Sequence, residues 1–180
     1  TKIRYNKIHD IHGLHLVKGE WKTHHFTFGI YLDDFSAGVD IYGNLIYRTP
    51  RGGIFTHATQ DVRVFNNMVL EGKDQMLFLR RWGKGLEYER LGTHGIAMRR
   101  NTYVRNIFAS SSPTAYIYDI ENCMDEDWEI DMEDNEINYN LIWTYGRPMK
   151  LWVCQDVGYD VYDRWEEDFS VWQAKGFDTE

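Results

Sequence analysis

An asparagine recurs along this chain inside one apolar frame. Aligning Asn6, Asn44, Asn67, Asn106 and Asn140 places Ile3, Ile41, Val64, Tyr103 and Ile137 three residues before each. The same alignment places Ile8, Ile46, Val69, Phe108 and Ile142 two residues after. All ten flanking positions are apolar or aromatic, in a chain where 43% of residues are. A short strand, a tight corner at Asn and a second strand account for the frame. Asn tolerates the left-handed backbone of such a corner, and its amide bonds to neighbouring groups. Stacked copies would set each amide above the next. A repeat of this kind marks a solenoid, in which each unit buries its apolar face only against adjacent units. The intervals are 38, 23, 39 and 34 residues, so the shortest suits one turn of a parallel β-helix and the longer ones carry insertions. Unrelated hairpins are the alternative; they favour Asn-Gly or Asp-Gly turns, and neither dipeptide occurs.

A third strand follows four of the anchors, as GIFTHA (53–58), MLFLRR (76–81), AYIYDI (115–120) and MKLWVC (149–154), with GIYLDD (29–34) as its delayed counterpart in the first repeat. The fold class expected is therefore all-β, a right-handed single-stranded parallel β-helix of about five coils over 1–160, with insertions at 12–27, 83–95 and 121–134. The stretch 161–180 is expected to be a packing appendage with a short helix, VWQAKG, capped by Ser170 and ended by Gly176. Trp165, Phe169 and Trp172 would cover the side or end of the solenoid. The first coil starts halfway through and shows no cap, which is the expectation for a piece of a larger β-helix.

Charge and composition exclude some partners. With 20 Lys+Arg against 28 Asp+Glu and a net charge of −8, a phosphate backbone is not the expected ligand. No apolar run approaches the roughly 20 residues that span a bilayer. Cys123 and Cys154 form no metal motif; two thiols or one bridge both remain open.

Alternate strand residues face opposite sides. If Ile30 and Leu32 face inward, Tyr31 and Asp33 face outward. The same parity turns out Phe55 and His57, then Phe78 and Arg80. The outer columns become Tyr31–Phe55–Phe78 and Asp33–His57–Arg80–Asp119, with the last two coils ambiguous. Aromatic rings beside acid, imidazole and guanidinium suit a sugar ring and its polar rim. An outer face packed under insertion loops is the bland alternative. The segment DEDWEIDMED (125–134) holds seven acids in ten residues, but lacks the glycine and spacing of a calcium loop. A solvated loop is expected there, with a calcium site as the alternative. His9, His12, His15, His24 and His25 crowd the first insertion without a metalloprotease pattern. His57 and His94 are the histidines singled out for chemistry. No metal or other cofactor is expected.

The segment GIYLDDFSAGVDIYGNLIYRTPRGGIFTHATQDVRVFNNMVLEG, with the tail INYNLIW…FSVWQAKGFD, resembles the right-handed parallel β-helix proteins of the pectate-lyase-like superfamily. It is most similar to bacterial β-helix glycoside hydrolases of the xylosidase and fucosidase/xylanase type. That resemblance implies a secreted or periplasmic enzyme acting on plant or algal polysaccharide. It implies that Asp33, in the GI-x-LD segment, is a catalytic aspartate. The xylosidase type carries a glutamate where His57 stands, so the second acid must come from elsewhere. Asp74, in EGKDQM, resembles the second acid of the fucosidase/xylanase type. Asp33 and Asp74 lie two coils apart, ~9–10 Å along the axis at ~4.8 Å per coil. Asp34 is the local rival, expected to point away. His57 and Arg80 would orient substrate, with Tyr31, Phe55, Phe78 and Asp119 lining the site. Two alternatives stay open. One is a polysaccharide lyase or epimerase on uronates, using Arg80, Arg81, Arg99 or Arg100 against the carboxylate and His57 or Tyr31 as base. The other is a non-catalytic, adhesin-like β-helix.

Overall fold

The computed structural model describes residues 1–23, 25–80, 98–121, 134–156, 162–174 and 176–179, with 121, 152–156 and 162–167 described by backbone alone. The protein is all-β, with one short helix among the described residues. The chain runs through β1 (Lys2–Arg4) and β2 (Lys7–His9), a hairpin of β3 (Leu14–Val17) and β4 (Glu20–Thr23), then β5 (Phe28–Leu32). The triplet pattern then repeats: β6 (Asp40–Tyr42), β7 (Leu45–Tyr47) and β8 (Gly52–His57); β9 (Arg63–Phe65), β10 (Met68–Leu70) and β11 (Gln75–Arg80). It continues with β12 (Thr102–Val104), β13 (Ile107–Ala109) and β14 (Tyr116–Glu121), then β15 (Glu136–Asn138), β16 (Leu141–Trp143) and β17 (Lys150–Asp156). First members pair only with first members, in the order β1-β6-β9-β12-β15; second members give β2-β7-β10-β13-β16, and third members β5-β8-β11-β14-β17. Every one of these pairings is parallel.

The register follows the apolar frame. Ile3, Ile41, Val64, Tyr103 and Ile137 lie side by side across the first sheet. Ile8, Ile46, Val69, Phe108 and Ile142 do so across the second. Seven of these ten side chains are at most 1% exposed, while Ile3, Ile8 and Ile142 at the ends pack partly buried against the same core. Burying such a stripe removes apolar surface from water at ~25 cal/mol per Å², which drives the stacking.

The corner between first and second sheets is an amide ladder. The Nδ2 of Asn6, Asn44, Asn67 and Asn106 donates to the Oδ1 of the next Asn at 3.0, 2.9, 3.0 and 3.1 Å. The same Oδ1 accepts the backbone N–H of the Asn below it. A second Nδ2 proton goes to the carbonyl of Ile3, Ile41, Val64 or Tyr103. Left-handed backbone, expected at the ladder Asn itself, falls one residue earlier, on Tyr5, Gly43, Asn66, Arg105 and Tyr139. The Asn must aim both its N–H and its amide along the stack, so the preceding residue takes the bend. A second amide corner precedes the first sheet in the later triplets: Asn101 Oδ1 accepts from Val62 N at 3.0 Å, and Asn135 Oδ1 accepts from Asn101 N at 3.0 Å. The left-handed residues Asp61 and Arg100 stand just before Val62 and Asn101, repeating the same geometry.

The C-terminal segment ends both ladder and core. After β17 the chain turns back as β18 (Tyr162–Asp168), antiparallel to β17 on the edge of the third sheet. No strand is expected there from the sequence. Helix α1 (Phe169–Ala174) starts one residue before Ser170, which therefore sits in its first turn rather than capping it. Gly176 has φ 94° at the exit. Trp172, 1% exposed, stacks on Phe177 and joins the main core. Asp178, 5% exposed, accepts from Tyr118 Oη at 2.8 Å, Trp172 Nε1 at 3.1 Å and Asn140 Nδ2 at 3.1 Å. A carboxylate thus terminates the asparagine stack, with three donors repaying its burial.

Candidate functional site

The third sheet carries the candidate chemistry, and its inward and outward sides are set by one break in alternation. A Cβ on Gly29 or Gly53 would collide with the core side chains Ile46 and Val69, so both glycines face inward. Ile30 and Leu32 also belong to the core cluster. Two consecutive inward positions, Gly29 and Ile30, leave Phe28 on the outer side, where it forms a second apolar cluster with Phe55 and Phe78. Tyr31, Phe55 and Phe78 stack as a column, with ring centroids 4.5 and 4.2 Å apart and planes within 12°.

The column faces away from the core as parity requires, but it is no open platform. Phe55 is 0% and Phe78 1% exposed, so neither ring presents a face to a sugar. Tyr31 is 38% exposed. Phe26, at the end of the first insertion, is also exposed and sets its ring edge-on to Tyr31 and Phe55. The register also corrects Asp119. It pairs with Phe78, two positions away from the Arg80 row, whose partners are His57 and Glu121. Asp119 is buried and accepts from Gln75 Nε2 at 2.8 Å. Tyr118, not Ile117, is the residue beside Leu77, which resolves the ambiguous parity of that repeat.

Asp74 does not meet Asp33. Asp33 follows the end of β5, in the row of His57 and Arg80, whereas Asp74 precedes the start of β11. Six residues of strand separate the Asp74 and Arg80 rows, which at ~3.3 Å per residue is ~20 Å. No direct carboxylate pair spans that distance.

Asp33 is instead joined by its own neighbours. Tyr31 Oη donates to Asp33 Oδ1 at 2.7 Å. His57 Nδ1 lies 3.1 Å from Asp33 Oδ1 and 3.0 Å from Asp34 Oδ1. Facing two carboxylate oxygens, Nδ1 is the nitrogen that carries the proton. A turn closed by Ser36 N donating to the Asp33 carbonyl, with Phe35 left-handed, swings both carboxylates to one side. Asp34, expected to point away, therefore points to the same imidazole. Only the turn reveals this, because strand alternation stops at Leu32.

Exposure separates the roles. The side chain of Asp33 is 66% exposed, that of Asp34 29%, and that of His57 7%. His57 Nε2 is buried. His57 is thus enclosed beside both carboxyls, with Asp33 the member open to solvent. The Tyr31 hydroxyl, chiefly, and His57 hold the Asp33 carboxyl below its ordinary pKa, against a smaller effect of burial. Burial, reinforced by the Asp33 hydrogen bond and charge, pushes Tyr31 well above its usual value. The site therefore holds one exposed, ionised carboxylate and a protonated phenol.

Among the described residues, Asp33, Asp34 and His57 are the one group of three whose ligand atoms, within 4.8 Å of one another, could hold a divalent cation. The histidines of the first insertion do not converge as such a set: His9 bonds Asp10 at 2.6 Å and stacks on Tyr47, while His15 faces His25. Arg100 is held by both oxygens of Asp61 at 2.7 and 2.8 Å. Arg81, His24, His94, Cys123 and most of the acidic stretch 125–134 lie outside the described residues, as does the side chain of Cys154. No helix of the described residues is long and apolar enough to cross a membrane. No family model, no curated protein and no solved structure matches this chain.

Proposed function

We propose that the chain is a right-handed parallel β-helix whose third sheet carries a glycosidase site, acting outside the cell on plant or algal polysaccharide. Three sheets visited in constant order by parallel strands support the helix, and crossovers between parallel strands are right-handed in about 98% of cases. The observation that carries the activity is the exposed Asp33 carboxylate, kept ionised by Tyr31 and braced by His57 beside a second carboxyl, Asp34.

In this reading Asp33 attacks the anomeric carbon, and Asp34 gives its proton to the leaving oxygen. Water then displaces the glycosyl ester, returning its proton to Asp34. One oxygen of each carboxyl lies within 4.8 Å of the other's, which suits the ~5–5.5 Å of a retaining pair better than the ~6.5–9.5 Å of an inverting one. Tyr31, with Phe26 beside it, offers aromatic surface to a sugar ring. The site favours hydrolysis over elimination. A lyase needs a base, whereas Tyr31 is held protonated and His57 Nε2 is buried.

Turnover assays on neutral and uronate-containing oligosaccharides test this. Hydrolysis with retained anomeric configuration, abolished in Asp33→Asn, is expected. An unsaturated product would replace the proposal with a lyase, and binding without turnover would replace it with an adhesin-like role. The mechanism uses no metal, so EDTA is expected to leave turnover unchanged. Loss on chelation, restored by a divalent cation, would reassign Asp33, Asp34 and His57 as ligands.

A further inference from the structure

The corner between second and third sheets in the last two triplets encloses a cavity of about 80 Å³, lined among others by Ser110, Ser112, Thr144, Arg147 and Lys150. Its walls are fixed by their own hydrogen bonds. The turn Thr144–Arg147 is pinned twice, by Arg147 N donating to the Thr144 carbonyl at 3.2 Å and Thr144 Oγ1 donating to the Arg147 carbonyl at 2.6 Å. Tyr145 and Gly146, at its centre, both have positive φ. Pro148 follows, which restricts the Arg147 backbone to extended conformations. Across the cavity, Ser110 Oγ donates to the Gly72 carbonyl at 2.9 Å and Ser112 Oγ to the Lys73 carbonyl at 3.0 Å. The serine protons are therefore spent.

Arg147 is the exception. Its Nη1 is buried without a hydrogen-bond partner, and among the described residues no acid pairs with its guanidinium. Glu71, beside the serine wall, is turned to Ser111, accepting from its N at 3.1 Å and its Oγ at 2.6 Å. A buried guanidinium nitrogen without an acceptor is costly, and a planar fork of donors matches an oxyanion. Lys150, exposed, also lines the cavity.

We infer that this cavity is an oxyanion-binding site in which Arg147 receives a carboxylate or sulfate group, the charged substituents of acidic sugars. It lies at the start of the third-sheet strands, opposite the Asp33 end, and stands whether or not Asp33 cleaves a glycan. The fixed Thr144–Arg147 turn holds the Arg147 donors in place for the anion.

Amide chemical shifts of the whole chain, followed during titration with inorganic sulfate or with free glucuronate at constant ionic strength, test the inference. Saturable shifts confined to 110–115 and 144–150 are expected with at least one of the two, and none with chloride. The responding probe tells whether sulfate or carboxylate is the group taken. Arg147→Gln should weaken binding about tenfold or more, through loss of a charge-assisted hydrogen bond. Lys150→Gln should weaken it by a smaller factor, because its charge is exposed. Linear, unsaturated drift with both anions would overturn the inference, as would equal affinity in folded Arg147→Gln. Should Arg147→Gln fail to fold, Arg147→Lys keeps the charge without the fork and is expected to bind more weakly than wild type; unchanged affinity there would also overturn it.

Discussion

Two corners of this molecule stack polar groups from one triplet to the next, and they do so differently. At the asparagine corner the same amide occupies the same place five times, each bonding the next, and the three inner members Asn44, Asn67 and Asn106 are closed to water. At the end of the third sheet the equivalent row holds Asp33, His57 and Arg80, three unlike groups, with the acid largely in solvent. Repetition of one group closes a hydrogen-bond network and stabilises the fold. Substitution of unlike groups at equivalent places leaves charge and donors oriented toward solvent, which is what a site requires. The aromatic column sits between these cases: it repeats like the ladder, and its buried members Phe55 and Phe78 belong to the fold, while only Tyr31 belongs to the site.

The comparison can be broken at several places. The largest effect is expected from Asp33→Asn, which should lower glycoside turnover on the order of 10⁴-fold with the melting curve nearly unmoved. Wild-type rates would place Asp33 outside the chemistry. Phe78→Ala should cost ~3–5 kcal/mol in denaturant unfolding, because it empties a buried aromatic position, and leave KM for glycan unchanged in folded protein. A large KM change with little loss of stability would return Phe78 to the substrate.

Asn67→Leu should cost about 1–3 kcal/mol, since it strips partners from the Asn44 amide, the Asn106 carbonyl oxygen and the Ile41 carbonyl. Its neighbour separates network from strain. Asn66, at φ 54°, makes the bend, so Asn66→Leu should cost ~1 kcal/mol through backbone alone while Asn66→Gly costs little. Equal losses at the two positions would erase the distinction.

The smallest effect is a shift with pH. Tyr31→Phe removes the main donor that lowers the Asp33 carboxyl, so the acid limb of the pH–rate profile should move to higher pH. The sign for stability follows. The folded pKa of Asp33 lies below its unfolded value, so its contribution is present above the ordinary carboxylate range and lost as pH falls through the lowered value. With a side chain 66% exposed, that contribution is under ~1 kcal/mol. An acid limb that stays in place would detach Tyr31 from Asp33.

Much of the stacking was legible in the chain because it depends on local period and on identity. Asn with apolar residues three before and two after marks the corner and both strands, whatever the insertion between repeats. The first triplets could be paired by counting, and Tyr31, Phe55 and Phe78 fell into one column by alternation alone. Counting failed where alternation breaks. Gly29 and Ile30 both face inward, Asp33 and Asp34 lie in a turn, and the Asp119 row is displaced by two. Asn101 and Asn135 carried a readable signal, since each is an Asn just before a strand of the first sheet. Asp178 carried none, because its partners Tyr118, Trp172 and Asn140 are brought together only when the C-terminal segment docks.

The order of the strands, the ladder and the apolar stripe were therefore properties of the sequence, since each arises from contacts between equivalent positions of neighbouring repeats. Which polar groups act together was decided by the tertiary structure. From the sequence, Asp74 is the expected partner of Asp33, and Asp34 is expected to point away. The length of β11 sets Asp74 ~20 Å away, and one turn brings Asp34 to the imidazole that holds Asp33. Side-chain chemistry at a corner depends on where the backbone bends, and the bend is fixed only once the coil beneath it is in place.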